Sequence, residues 1–561
     1  MKIRGLGLLS GLFLFIASFA QETPKGWHLL DAEKDGYRGI SLNKAFEFLK
    51  GKKSQPIIVA VLDSGIDTAH EDLKPILWRN PKEIPGNGKD DDGNGYADDV
   101  YGWNFLGNAN GDMVTKASSE MARVYHQYKE KFEGKNIDVN TLSEDEKFIY
   151  EMWKRAAKEI TPDPEEQLNV AFIDMALSSM QKYDKMVRED MKKDEYTIDE
   201  LEKYQPVTPL AKQAKSGFLT YMKMFNFEST STNKYILTEL EEYVDQKRTA
   251  FTAKDNPPAD LRKEVIGDDY NDFNDRFYGN SNVMGGGPVH GTHVAGIIGA
   301  MRNGIGADGV ADNVRIMMLR TVPNGDEYDK DIALAIRYAV DNGAKIINMS
   351  FGKGYSPEKK WVDDAVKYAE SKGVLLVHAA GNDGRDLEKE PSFPSPYFFG
   401  TTTKAPNFIT VGASSDPSIK GDQIADFSNY GNKTVDVFAP GVKIYSTLPG
   451  GDKYGNNQGT SMAAPVVSGI AALIWSHYPN LTAKQVKEAI EKTVWKSDNT
   501  LVNRPGEKKE QVFLSDLSAT AGIVNAYEAV KYADSLKPET TNKKKKEEQL
   551  PKSTFQNKKV D

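Results

Sequence analysis

Apolar and polar positions along this chain follow two rhythms. A continuous apolar, β-branched run at 57–62 is followed by similar, largely apolar runs at 315–319, 345–349, 374–377 and 408–411. Runs of this kind predict strands buried on both faces, as in a parallel sheet. Between them, 331–342 and 358–372 carry apolar residues at helical spacing. The alternation predicts an α/β fold with a mainly parallel sheet flanked by helices. The second rhythm runs from 110 to 257. Glycine is sparse there, charge is high, and 165–193 repeats apolar residues at helical spacing with Lys and Glu between. It predicts a large helical subdomain inserted into the α/β unit; a set of surface helices is the other reading. Thr482-Ala483-Lys484-Gln485 is a capping-box pattern that opens a helix to about Lys492.

The ends differ from both rhythms. Lys2 and Arg4 precede an apolar stretch over 6–19, and Ser18-Phe19-Ala20 gives a small-x-small cleavage site. This is the pattern of a secretory signal peptide over 1–20, placing the mature chain in the periplasm or outside the cell. A membrane anchor is the other reading, although a span needs ~20 residues. No second span is expected after signal removal. Residues 21–55 form a lead-in, 56–109 and 258–535 the α/β domain, and 110–257 the insertion. The tail, 536–561, is polar, contains Lys543 to Lys546, and is expected to be disordered.

Composition narrows the chemistry. The 561 residues are 39% hydrophobic and 27% charged, enough for a sizeable core. The net charge of −9 gives no global basic balance, so a nucleic-acid partner is not expected. Cysteine is absent, which excludes disulfides, thiolate metal sites, a cysteine nucleophile and a cysteine-linked lipid anchor.

Three segments carry candidate chemistry. Val61-Leu62-Asp63-Ser64-Gly65 puts an acid directly after a buried strand, where open parallel sheets place reactive groups. His290-Gly291-Thr292-His293-Val294-Ala295-Gly296 holds two of only seven histidines. Their i, i+3 spacing alone also suggests a metal pair, but no HExxH pattern accompanies it. Gly459-Thr460-Ser461-Met462-Ala463-Ala464-Pro465 sets a serine at a helix start, where free N–H groups stabilise a developing oxyanion. Read singly, the three are a turn, a packed histidine and an N-cap.

Taken together, in the order Asp, His, Ser, they closely resemble the subtilisin-like serine peptidases, the S8 subtilases. The resemblance covers about 50–110 and 275–530, and implies a three-layer fold. It implies Ser461 as nucleophile, His290 as general base and acid, and Asp63 as the group orienting the imidazole. It implies that His293 packs beside the base. Ala379-Ala380-Gly381-Asn382 matches the segment whose asparagine, with the Ser461 N–H, forms the oxyanion hole. Ser350-Phe351-Gly352 matches the segment that pairs with an extended peptide substrate, with Ala379, Ala380 and Gly381 walling the first subsite. A fold that has lost activity is the rival class; Asp63, His290, Asn382 and Ser461 are all present.

Calcium is the expected cofactor, as a structural ion. Asp90, Asp92 and Asn94 alternate before Gly95 as in half an EF-hand loop, with Asp98 following; Tyr101 stands where the bidentate glutamate belongs. The resemblance also implies a site from Asp72, the Asn303 side chain and the Met301, Ile305 and Ala307 carbonyls. Two features depart from the family. Asp63 and His290 lie 227 residues apart, the excess being the insertion. The stretch from Gln21 to Asp63 is also too short for a propeptide of domain size.

Overall fold

The computed structural model describes residues 23–539 except 226, 228, 230, 497–500 and 507–509. The proposed signal peptide, and the tail beyond 539, lie outside the described residues.

The long apolar runs are strands. They are β1 (Ile57–Asp63), β3 (Val314–Arg320), β4 (Ile346–Met349), β5 (Leu375–Ala379) and β6 (Phe408–Ser414). Shorter strands add β2 (Gly102–Asn104), β7 (Val437–Pro440), β10 (Trp495–Lys496) and β13 (Gly522–Ile523). These nine make one sheet, ordered β10-β13-β7-β6-β5-β4-β1-β3-β2. Every pairing in it is parallel except β10 with β13. Two hairpins stand apart, β8 (Ile444–Leu448) with β9 (Lys453–Asn457), and β11 (Leu501–Asn503) with β12 (Gln511–Phe513).

Both faces of the sheet are covered, because alternate residues point to opposite sides. Val59 and Val61 enter one core, Ala60 and Leu62 the other. The lead-in helices α1 (Ala32–Asp35) and α2 (Leu42–Leu49) come first. Trp27, Ile40 and Leu42 of this segment are fully buried in the first core. The insertion holds α3 (Glu120–Phe132), α4 (Glu144–Glu159), α5 (Pro164–Met191), α6 (Ile198–Lys203), α7 (Pro209–Met224) and α8 (Asn233–Thr252). The α/β unit resumes with α9 (Val289–Gly299), α10 (Asp329–Asp341), α11 (Lys359–Ser371), the short α12 (Pro417–Lys420), α13 (Thr460–His477), α14 (Ala483–Lys492) and α15 (Ala526–Ser535). Helices α9 and α13 lie on the first face; α10 and α11 lie on the second. The predicted capping box opens α14: Gln485 N–H donates to Thr482 Oγ1, and Gln485 Oε1 accepts the Thr482 N–H.

The insertion has its own core, in which Leu177, Met180, Phe218, Ile236 and Leu240 meet. A second cluster, around Trp153 and Phe132, seats α3 and α4 against Tyr355 of the α/β unit.

Candidate active site

The strand order reverses between β1 and β4. The loop leaving β1 runs to one side and the loop leaving β4 to the other, which opens a crevice at the carboxyl ends of the strands. Asp63 ends β1 beside that crevice and is 1% exposed. Its Oδ1 accepts the Ser64 N–H at 2.7 Å and lies 2.8 Å from His290 Nδ1. Close approach of α9 makes this contact possible. A Cβ at Gly291 would come within 2.2 Å of the Gly65 carbonyl oxygen, so only glycine lets the helix start here. With Nδ1 donating to Asp63, the imidazole presents Nε2 as its acceptor. Burial opposes a charge on His290, but the Asp63 charge, the hydrogen bond to it and the Glu239 charge outweigh burial and raise its pKa. His293 is buried below, held neutral with a pKa of about 3 by burial, its Nε2 3.1 Å from the Gly455 carbonyl.

Ser461 sits in the first turn of α13, after Gly459 at φ +146°. Its N–H is among those with no intrahelical acceptor. Its hydroxyl donates to the Ser350 carbonyl at 3.1 Å, and among the described residues no hydrogen bond joins it to His290. Asn382 follows β5. Its Oδ1 accepts from the Thr460 N–H at 2.8 Å and from the Thr460 hydroxyl at 3.0 Å, and Thr460 Oγ1 accepts the Gly381 N–H at 3.0 Å. Fixing Oδ1 leaves Nδ2 as the group Asn382 offers to the cleft. Asn429 clamps the same loop: its Nδ2 donates to the Ala380 carbonyl, and its Oδ1 accepts the Asp383 and Arg385 N–H groups.

Asp63, His290, Asn382 and Ser461 line one cleft of about 1010 Å³. A second lobe of about 520 Å³, walled by Phe351, Gly352, Ala379 and Gly381, meets it at Asn382 and Ser461. Ala380 turns away into a small cluster with Leu387 and Val435. Ser350 is 3% exposed, and its hydroxyl works inside the fold. It donates to the Ser461 carbonyl and accepts from Asn348, whose Oδ1 takes the Ser468 hydroxyl. This buried chain ties β4 to α13.

A scan against protein families matches residues 54–516 to the Subtilase family, Peptidase S8. The chain belongs to the subtilase family. It is 42% identical over 213 residues to a thermophilic serine proteinase of Bacillus sp. (strain AK1), covering 38% of this chain and 48% of that one. It is 41% identical over 210 residues to subtilisin E of Bacillus subtilis (strain 168), covering 37% and 51%. The chain therefore spans about half the length of these relatives. Among solved structures, the prenylagaramide maturation protease PagA matches at 29% identity and a TM-score of 0.36, over 44% of this chain and 82% of that one.

The two regions where calcium was expected in this subtilase differ. Asp72 is fully buried, and both its carboxylate oxygens are taken. Oδ1 accepts the Asn303 amide at 2.7 Å and Oδ2 the Tyr454 hydroxyl at 2.7 Å. The Asn303 Oδ1 is turned to the Ile305 N–H instead. In this structure Asn303 presents its amide N–H, not its oxygen, to Asp72. In the acidic loop, Glu83, Asp90 and Asp92 offer carboxylate oxygens within 4.8 Å of one another, a donor set that fits a hard metal ion. Asn94 and Asp98 are used elsewhere. Asn94 Oδ1 accepts the Tyr96 N–H, and Asp98 accepts the Gly86, Asn87 and Gly88 N–H groups.

Sequence reasoning missed four residues here. Thr460 lay inside a quoted motif but was given no role. Asn429, Glu83 and Glu239 carry no local pattern that marks them.

Proposed function

We propose that this subtilase is an exported serine endopeptidase that hydrolyses peptide bonds through an acyl-enzyme on Ser461. The observation carrying the reading is the 2.8 Å contact of Asp63 with His290 Nδ1, in one cleft with Ser461 and Asn382. In the reaction, the Ser461 hydroxyl turns from the Ser350 carbonyl to His290 Nε2. Nε2 takes its proton as Oγ bonds to the scissile carbonyl carbon. Asp63 stabilises the imidazolium. Asn382 Nδ2 and the Ser461 N–H hold the oxyanion. The imidazolium then passes the proton to the leaving amine, and water repeats the sequence to free the acid. An extended substrate pairing along Ser350, Phe351 and Gly352 would set the scissile bond over Ser461. The N-terminal charge and hydropathy pattern supports export, and among the described residues no helix is long and apolar enough to cross a membrane.

Hydrolysis of a peptide library tests this. Ser461→Ala is expected to lose about 10⁶ in kcat, the scale seen in subtilisin. Asn382→Ala is expected to lose about 10²–10³ in kcat with little change in KM, as for the corresponding subtilisin donor. A Ser461→Ala protein that keeps cleaving would end the proposal.

For the acidic loop, the finer reading is calcium held by Glu83, Asp90 and Asp92, stabilising the fold by mass action. Added calcium should raise Tm over that in chelator, and Asp92→Asn should erase the rise. An equal rise in the variant would place calcium elsewhere.

A further inference from the structure

The insertion lies across the cleft. Tyr235, Thr238, Glu239 and Glu242 of α8 line the lobe that holds His290, and Gln246 lines the lobe beyond Ser461. Their i, i+3, i+4, i+7 and i+11 spacing is one helix face, about 16 Å long at 1.5 Å per residue. The opposite face, Ile236, Leu240 and Val244, is buried in the insertion's own core. The helix therefore spans the passage with a polar underside.

It is footed on both banks, and the feet differ in kind. On the bank that follows β4, the foot is buried and ionic. Glu120 of α3 meets Lys353 at 2.6 Å and Arg123 at 2.7 Å, and Lys353 meets Asp329 at 2.8 Å. Arg155 of α4 also donates to the Gly354 carbonyl, and Tyr355 donates to Glu159. On the opposite bank the foot rests on the β8–β9 hairpin through one solvent-exposed ion pair and one half-buried hydrogen bond. Glu195 pairs with Lys453 at 2.9 Å, their side chains 31% and 48% exposed, and the Tyr235 hydroxyl reaches Asn457 Oδ1 at 3.3 Å.

We propose that the insertion is a bridge over the active-site cleft that admits only unfolded, extended polypeptide, and that the hairpin foot is the one that lifts. This rests on the peptidase reading above. A cleft roofed by α8 favours a strand-like chain over a rigid loop that arrives with a folded domain behind it. The buried foot holds because Lys353 is shared by Glu120 and Asp329 away from solvent, so parting the banks would break several charged contacts at once. An exposed pair contributes so little that this foot gives way before the buried one.

The test uses the full chain. A cleavable sequence is first selected on the enzyme from a peptide library. It is then offered free and as a surface loop within a folded protein. The wild type should cut the free peptide and leave the loop nearly intact. Glu195→Lys sets two lysines against each other at the hairpin foot. It should raise the loop-to-peptide rate ratio about twofold to fivefold, the scale of losing an exposed pair. A wild type that cuts loop and peptide alike would overturn the bridge. An unchanged ratio in Glu195→Lys would overturn the hairpin foot as the moving one. The peptidase reading is scored separately: a small fluorophosphonate that fails to label Ser461 in the wild type counts against that reading, not against the bridge.

Discussion

His290 is the residue on which the proposed chemistry turns, and its proton affinity is set from two sides. Asp63 holds Nδ1 from the sheet, and Glu239 lowers the cost of charge from the insertion. The imidazole acts as a base only when neutral, so kcat/KM should rise with pH through its pKa. Glu239→Gln removes a negative charge and makes the imidazolium harder to form. The acid limb should then move down by a fraction of a pH unit, less in high salt. A limb that stays in place or moves up would show that the Glu239 charge does not reach His290. Thr460 shows the same economy beside Asn382. One side chain orients the Asn382 amide and ties down the Gly381 N–H.

At the scale of elements, three ends converge: the carboxyl end of β1 and the first turns of α9 and α13. The strands behind them were legible because a strand buried on both faces must be apolar throughout. The capping box of α14 was legible because its two reciprocal bonds need those residue types. Strand β2, with three residues, and β10 and β13, with two each, are too short to leave a period. The acidic loop was legible only in part. Its alternating carboxylates look like half an EF-hand, yet local N–H groups capture Asp98, and Glu83 joins from outside the run. The motifs brought Asp63, His290, Asn382 and Ser461 into one hypothesis. Nothing local told where the insertion would lie, since its feet join residues more than 190 positions apart. The buried foot is also a stability element. Burial alone would raise the Glu120 pKa, but Arg123 and Lys353 hold it below the ordinary carboxylate value. Glu120→Gln takes a carboxylate from Lys353, which keeps Asp329, and from Arg123, which keeps its backbone carbonyls, and should cost about 1.5–3 kcal/mol in denaturant unfolding. A loss below about 1 kcal/mol would mean that the foot is not fixed as described.

Over the whole molecule, two cores sandwich one sheet, and a third core belongs to the insertion alone. The sheet supplies Asp63, the helix starts supply His290 and Ser461, and the insertion roofs the cleft they share. The central claim is that this cleft holds an activated serine. Exposing the mature protein to a fluorophosphonate and mapping the adduct by mass spectrometry tests it most directly, with Ser461→Ala and His290→Ala alongside. One adduct is expected, on Ser461, absent from the first variant and strongly slowed in the second. A folded wild type that takes no label, or takes it on another residue, would contradict it.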